Sequence, residues 1–190
     1  MKFISTTTIA FLLLLPAALP VLAEEAGIEW NILNQQVMEL YRTGEHARAV
    51  VVAEKALDIA EKNFGPNHPD VATSLNNLAF LYDDQGNYAQ AELLYKRALA
   101  IYEKALGPNH PDVAMSLNNL ASLYVNQGRY TQAELLYNRA LSIYEKVLSS
   151  DHPDVATSLE NLAVLYRAIN RDEEAETLEH RAARIRMIQR

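Results

Sequence analysis

The chain has 190 residues, which suits one ordinary domain or a short array of repeated units. With no cysteine there is no disulfide framework, no thiolate metal site and no thiol nucleophile. Seventeen Lys and Arg against 24 Asp and Glu give a net charge of −7, which argues against nucleic acid or anionic lipid as an electrostatic partner.

The N-terminus carries Lys2, an apolar run from Phe3 to Leu15, then Pro16, Pro20 and small side chains at Val21 and Ala23. That order matches a secretory signal peptide over residues 1–23, with Glu24 and Glu25 opening the mature chain. The expectation is therefore an exported protein, periplasmic or secreted, with no membrane contact once the segment is cleaved. The alternative is an uncleaved N-terminal anchor, since about 20 apolar residues suffice to span a bilayer. Residues 24–27 are a short lead-in to the rest.

Beyond this segment a 42-residue period governs the chain. The blocks 65–106 and 107–148 agree at 33 of 42 positions. A third copy occupies 149–190 and degrades after Tyr166, and a weaker one occupies 28–64. Each unit reads as two helices. In 65–106, Pro69 and Asp70 suit a first helical turn, where a missing N–H is harmless and a carboxylate favours the dipole. Leu75, Leu78, Ala79 and Tyr82 follow at the spacing of one helical face. Gly86 ends that helix, in the left-handed conformation glycine adopts cheaply. A second helix carries Ala91, Leu94, Tyr95, Ala98 and Ile101 or Tyr102. Neither helix can bury its stripe alone, so each unit must stack on the next. In the last unit, Glu173, Glu176, Glu179, Arg181, Arg184 and Arg186 make residues 171–188 polar almost all round, as a terminal cap requires.

Leu78, Ala79 and Tyr82, then Gly86, Tyr88 and Ala91, then Tyr95 and Ala98, resemble the tetratricopeptide repeat. The 42-residue spacing, with Asn67–Ala72 ahead of the first helix, resembles the longer subtype found in kinesin light chains. The first unit departs at Val37 and Leu40, and the last at Asn170, Asp172 and Glu179. The resemblance implies an all-α, right-handed α-solenoid of about four helix-turn-helix units, in which the first helix of each unit lines a concave, peptide-binding wall. It implies no enzymatic activity.

The residues add their own evidence for that wall. Thr73, Asn76, Asn77, Phe80, Asp83 and Asp84 fall on one helical stripe apart from the packing face. Of the nine differences between the two closest units, four lie on it: Thr73/Met115, Phe80/Ser122, Asp83/Val125 and Asp84/Asn126. Random scatter would put about one there. Adding Asn118 and Asn119, and in the last unit Thr157, Glu160, Asn161, Val164 and Arg167, completes the candidate groove. Asn77, Asn119 and Asn161 stand 42 apart and form a ladder of amides able to bond a peptide backbone or, alternatively, a neighbouring unit. Asp83, Asp84 and Glu160 make the groove mildly acidic, favouring a basic or apolar partner. Arg167 is the sole basic group on the stripe, which leaves little to clamp a C-terminal carboxylate.

Chemistry is not indicated elsewhere. His68, His110 and His152 are spaced one repeat apart and read as helix caps rather than metal ligands. Ser74, Ser116 and Ser158 have no histidine base nearby in the repeat. No Gly-rich phosphate loop occurs. No cofactor, metal or nucleic acid is expected. The expected partner is a protein or peptide held in the groove. The alternative is a self-assembling array whose ends stack into oligomers.

Overall fold

A computed structural model describes residues 15–188, with side chains from Glu24 onward. Residues 1–14 of the proposed secretory segment lie outside the described residues. Eight helices follow in order: α1 (Leu15–Arg42), α2 (His46–Phe64), α3 (Pro69–Asp84), α4 (Tyr88–Leu106), α5 (Pro111–Asn126), α6 (Tyr130–Val147), α7 (Pro153–Ala168) and α8 (Asp172–Ile188). Consecutive pairs form four antiparallel hairpins, and each hairpin packs on the next, giving an all-α solenoid. None of the described helices is long and apolar enough to cross a membrane.

The helix starts are set by a repeated local device. His68, His110 and His152 hold extended backbone, and the Nδ1 of each accepts the N–H of Asp70, Asp112 or Asp154 at 3.2 Å. Proline follows directly at the first helical position, where it has no bond to lose. The histidines are thus caps, as their spacing indicated. Gly86 ends the first helix of its unit at φ 76°, in the left-handed region. In the last hairpin Asn170 takes that position at φ 61°, the only non-glycine among the described residues with positive φ.

The core is made of period-locked residues. Ala79, Ala121 and Ala163 are fully buried or nearly so, as are Ala91, Ala133 and Ala175. Here helix backbones approach closely, and one added methylene would force overpacking of about 1–3 kcal/mol. Leu75, Leu117 and Leu159 are completely buried in the largest cluster, which runs from the first hairpin into the fourth. Ile101 and Tyr102 are both buried, so the second helix contributes both candidates to the core.

Tyrosines cross the unit junctions. The hydroxyls of Tyr82, Tyr124 and Tyr166 donate to Glu54, Glu92 and Glu134 of the preceding hairpin at 3.0–3.1 Å. Arg129 and Arg171 lie over the Tyr124 and Tyr166 rings, 3.9 Å from the centroids, and pair with the same glutamates. A second column runs along the outer face, where Arg97, Arg139 and Arg181 each reach Glu61, Glu103 and Glu145 at 2.6 Å. Charged side chains thus bridge neighbouring units along both faces.

Candidate functional site

Curvature decides which helices form the inner wall. Among the described residues, the first helices of successive hairpins touch one another, α1 to α3, α3 to α5 and α5 to α7. The backbones of the second helices do not come close to one another, and only long side chains such as Arg97 and Glu61 bridge them. The first helices therefore converge on the concave side and the second helices splay outward.

Along that wall the structure separates the stripe into three groups. Asn76 and Asn118 point into the unit junctions. Asn76 is 4% exposed and its Oδ1 accepts from the Ser116 hydroxyl at 3.4 Å; Asn118 is 8% exposed and donates to Ser158 at 2.9 Å. These two are packing residues first. Asn77 is half-buried and donates to Asn34 of α1 at 2.8 Å, so the first rung of the ladder is bonded to a neighbouring unit. Asn119 and Asn161 are half-buried, and neither side chain has a hydrogen-bond partner among the described residues. They are the two rungs left to hold something else.

Two small hollows meet at those rungs. One, of about 260 Å³, is lined by Phe80, Asp83, Asp84, Ser122 and Asn126 together with Asn118, Asn119 and Asn161. The next, of about 170 Å³, brings Met115 and Thr157 to the same three asparagines. Thr73, Val125, Glu160, Val164 and Arg167 line neither. Thr73 is 2.8 Å from the Tyr102 hydroxyl, and Val125 is half-buried among the core residues. Glu160 and Thr157 are held by Arg186 of α8 at 2.9 Å, and Arg167 grips Glu179 at 2.8 Å and Asp172 at 3.3 Å. Val164 is exposed. Both the acid and the base that the sequence placed at the last unit's groove are thus neutralised internally.

Around the larger of the two hollows the charge is negative. Asp84 accepts from the Tyr41 hydroxyl at 3.1 Å and lies 3.1 Å from His46 Nδ1. Asp83 accepts from Asn126 at 3.0 Å and has no cationic partner among the described residues. Burial raises the Asp83 pKa, the Asn126 bond opposes that rise, and neighbouring Asp84 adds to it. Phe80 is 40% exposed, and Tyr41 packs edge-on to it at 4.8 Å between ring centroids.

Sequence reasoning left unit 1 out of the groove. The structure continues the wall onto α1, where Asn31, Asn34, Gln35 and Met38 border a wider hollow of about 670 Å³ that reaches Asn77. The signal was present: Asn34, Gln35 and Met38 stand 42 residues before Asn76, Asn77 and Phe80. Tyr95, which the sequence placed on the packing face, and Tyr144 also border the two smaller hollows from the second helices.

Stacked helix hairpins with a wall of first helices define an α-solenoid of the protein-interaction class. The tetratricopeptide-repeat profile matches residues 31–104, 94–146 and 112–187, and the chain belongs to that family. Its fold is similar to that of BtubC (BKLC) from P. vanneervenii, with a TM-score of 0.74 and 28% identity, covering 84% of this chain and 64% of that one. It is also similar to a putative kinesin light chain from Podosopora anserina with nearly identical TPR-like repeats, at TM-score 0.66 and 25% identity, covering 92% and 88%. A secreted RxLR effector protein of Plasmopara halstedii is 34% identical over 62 residues, which are 33% of this chain and 19% of that protein. Family members are generally non-enzymatic scaffolds.

Proposed function

We propose that the protein is a non-enzymatic scaffold that holds an extended peptide segment of a partner protein along the concave wall, and that it works after export. The observation that carries the reading is the pair Asn119 and Asn161. Each presents an unpaired amide to adjoining hollows on the inner wall, where donor and acceptor together match a peptide backbone of any sequence. The clustering of unit-to-unit differences on the same stripe supports it, because packing positions are copied while the wall is varied. Export is supported by the pattern of residues 1–23. Stacking into oligomers through the C-terminal end is disfavoured by the polar closure that Arg167, Glu179, Arg186 and Glu160 build there.

The test is selection of a phage-displayed random peptide library on the full chain, followed by fluorescence anisotropy with the enriched peptides. The double substitution Asn119→Ala and Asn161→Ala should weaken binding at least tenfold, as expected for two lost peptide hydrogen bonds of about 1 kcal/mol each, and leave the melting temperature unchanged. If no enriched peptide is sensitive to that pair, the wall is not the binding surface.

A further inference from the structure

The hollow of about 260 Å³ between the second and third hairpins is lined by two carboxylates, against one, Asp154, in its smaller neighbour. It is smaller than the roughly 300–1,000 Å³ of small-molecule pockets, and its size suits one side chain. Two carboxylates, Asp83 and Asp84, stand at its edge, and no Lys or Arg lines it. Asp84 is engaged by Tyr41 and lies against His46, which leaves Asp83 as the carboxylate without a positive partner among the described residues. In the last hairpin, Arg167 pairs with Glu179 and Arg186 with Glu160.

A second, independent feature lies in the same hollow. Asn118 is 92% buried; its Nδ2 is held by Ser158, while its Oδ1 has no hydrogen-bond partner. Buried acceptors are almost always satisfied, and this unpartnered one adds its negative dipole beside the hollow. Phe80 adds an exposed aromatic ring at the edge, a surface against which a cation or a planar guanidinium packs well. Acceptors, negative charge and an aromatic ring without any resident donor cation are complementary to one kind of guest.

We propose that this hollow is a subsite for a single cationic side chain, Lys or Arg, projecting from a peptide that lies along the wall. The inference rests on the groove reading above and makes it specific. Asp83 supplies the charge, the free amide of Asn119 orients the donor, and Phe80 covers the aliphatic stem. An acidic side chain is rejected at the same place by both aspartates.

The experiment uses the full chain and the peptides enriched from the phage-displayed random library, each resynthesised with its basic residue replaced by norleucine and by Glu. The expected result is a shared Lys or Arg in the enriched set. Norleucine replacement should weaken binding about tenfold, Glu should weaken it further, and Asp83→Asn, which keeps an acceptor for Asn126, should erase the preference for the basic residue at unchanged melting temperature. Peptides that depend on Asn119 and Asn161 but bind equally well with norleucine, or equally well to Asp83→Asn, overturn the subsite and leave the groove intact. Absence of any peptide that depends on those asparagines overturns both.

Discussion

Glu92 is the point at which a single charge should be felt most in the array. Its carboxylate sits in the junction between the second and third hairpins, with its side chain 19% exposed. It accepts from the Tyr124 hydroxyl at 3.0 Å, from Arg129 at 2.6 Å and from Lys96 at 2.6 Å. Partial burial by itself would push the carboxyl up; the bonds from Lys96, Arg129 and Tyr124 outweigh it and hold the pKa at about 2 against an ordinary 4.5. That difference corresponds to roughly 3 kcal/mol at 1.36 kcal/mol per pH unit. Because Lys96 is 54% exposed and screened by water, about 2 kcal/mol is the expected net contribution to folding.

The sign follows from linkage. A carboxyl whose folded pKa is depressed stabilises the fold above its unfolded pKa, and this stabilisation is lost as pH falls from about 4.5 towards about 2. Glu92→Gln removes the charge while leaving Tyr124 an acceptor. Urea denaturation followed by helical circular dichroism should show the variant about 2 kcal/mol less stable at pH 7, with the gap closing steadily below pH 4.5. Glu54 is the internal control: it accepts from Tyr82 in the same way, but Asn87 stands where Arg129 would be, and Glu54 is exposed. Glu54→Gln should change stability by less than about 0.5 kcal/mol. A Glu92→Gln deficit that is the same at every pH, or as small as that of Glu54→Gln, refutes the clamp.

Two further substitutions probe the frame that carries the wall. Leu117→Ala, at a fully buried site, should lower stability by about 2–5 kcal/mol in the same urea titration, and a loss below about 1 kcal/mol would mean that the hairpins are not packed as described. Asn170→Gly, at φ 61°, should be neutral or stabilising by up to about 1 kcal/mol in thermal melts, whereas Asn170→Ala should be destabilising by about 1 kcal/mol; the reverse order would show that the asparagine side chain, not the backbone, sets the turn.

The hairpin fold could be read from the chain because each structural need recurs at the same offset. Small residues at Ala79, Ala121 and Ala163, a cap histidine before Pro69, Pro111 and Pro153, and glycines at helix ends state the same hairpin repeatedly. The outer charge column could be seen but not paired. Glu61 and Arg97 are 36 residues apart, a spacing with meaning only when the angle between neighbouring hairpins is known. The wall was legible as a stripe and not as a surface. Adjacent residues on a helix point about 100° apart, so the boundary between facing the groove and facing the next unit falls between Asn76 and Asn77. Sequence periodicity places both near that boundary; only the packed neighbour decides between them.

That division between neighbouring asparagines also accounts for the departure in the last unit. Ser74, Ser116 and Ser158 form a buried column, and each is bonded by a side chain of the preceding hairpin, from Trp30, Asn76 and Asn118 in turn. The position of Asn76 and Asn118 exists to meet a serine one unit ahead. In the fourth hairpin the same position is Glu160, which pairs with Arg186 of α8. Its carboxylate accepts from the guanidinium of Arg186 on α8, and both are groups that water also accepts. The outward rung, Asn161, has no such dependence on a following unit, and it is kept. Loss of the junction asparagine with retention of its groove neighbour is what two separate roles on adjacent residues would produce: one locks hairpin to hairpin, the other faces the guest.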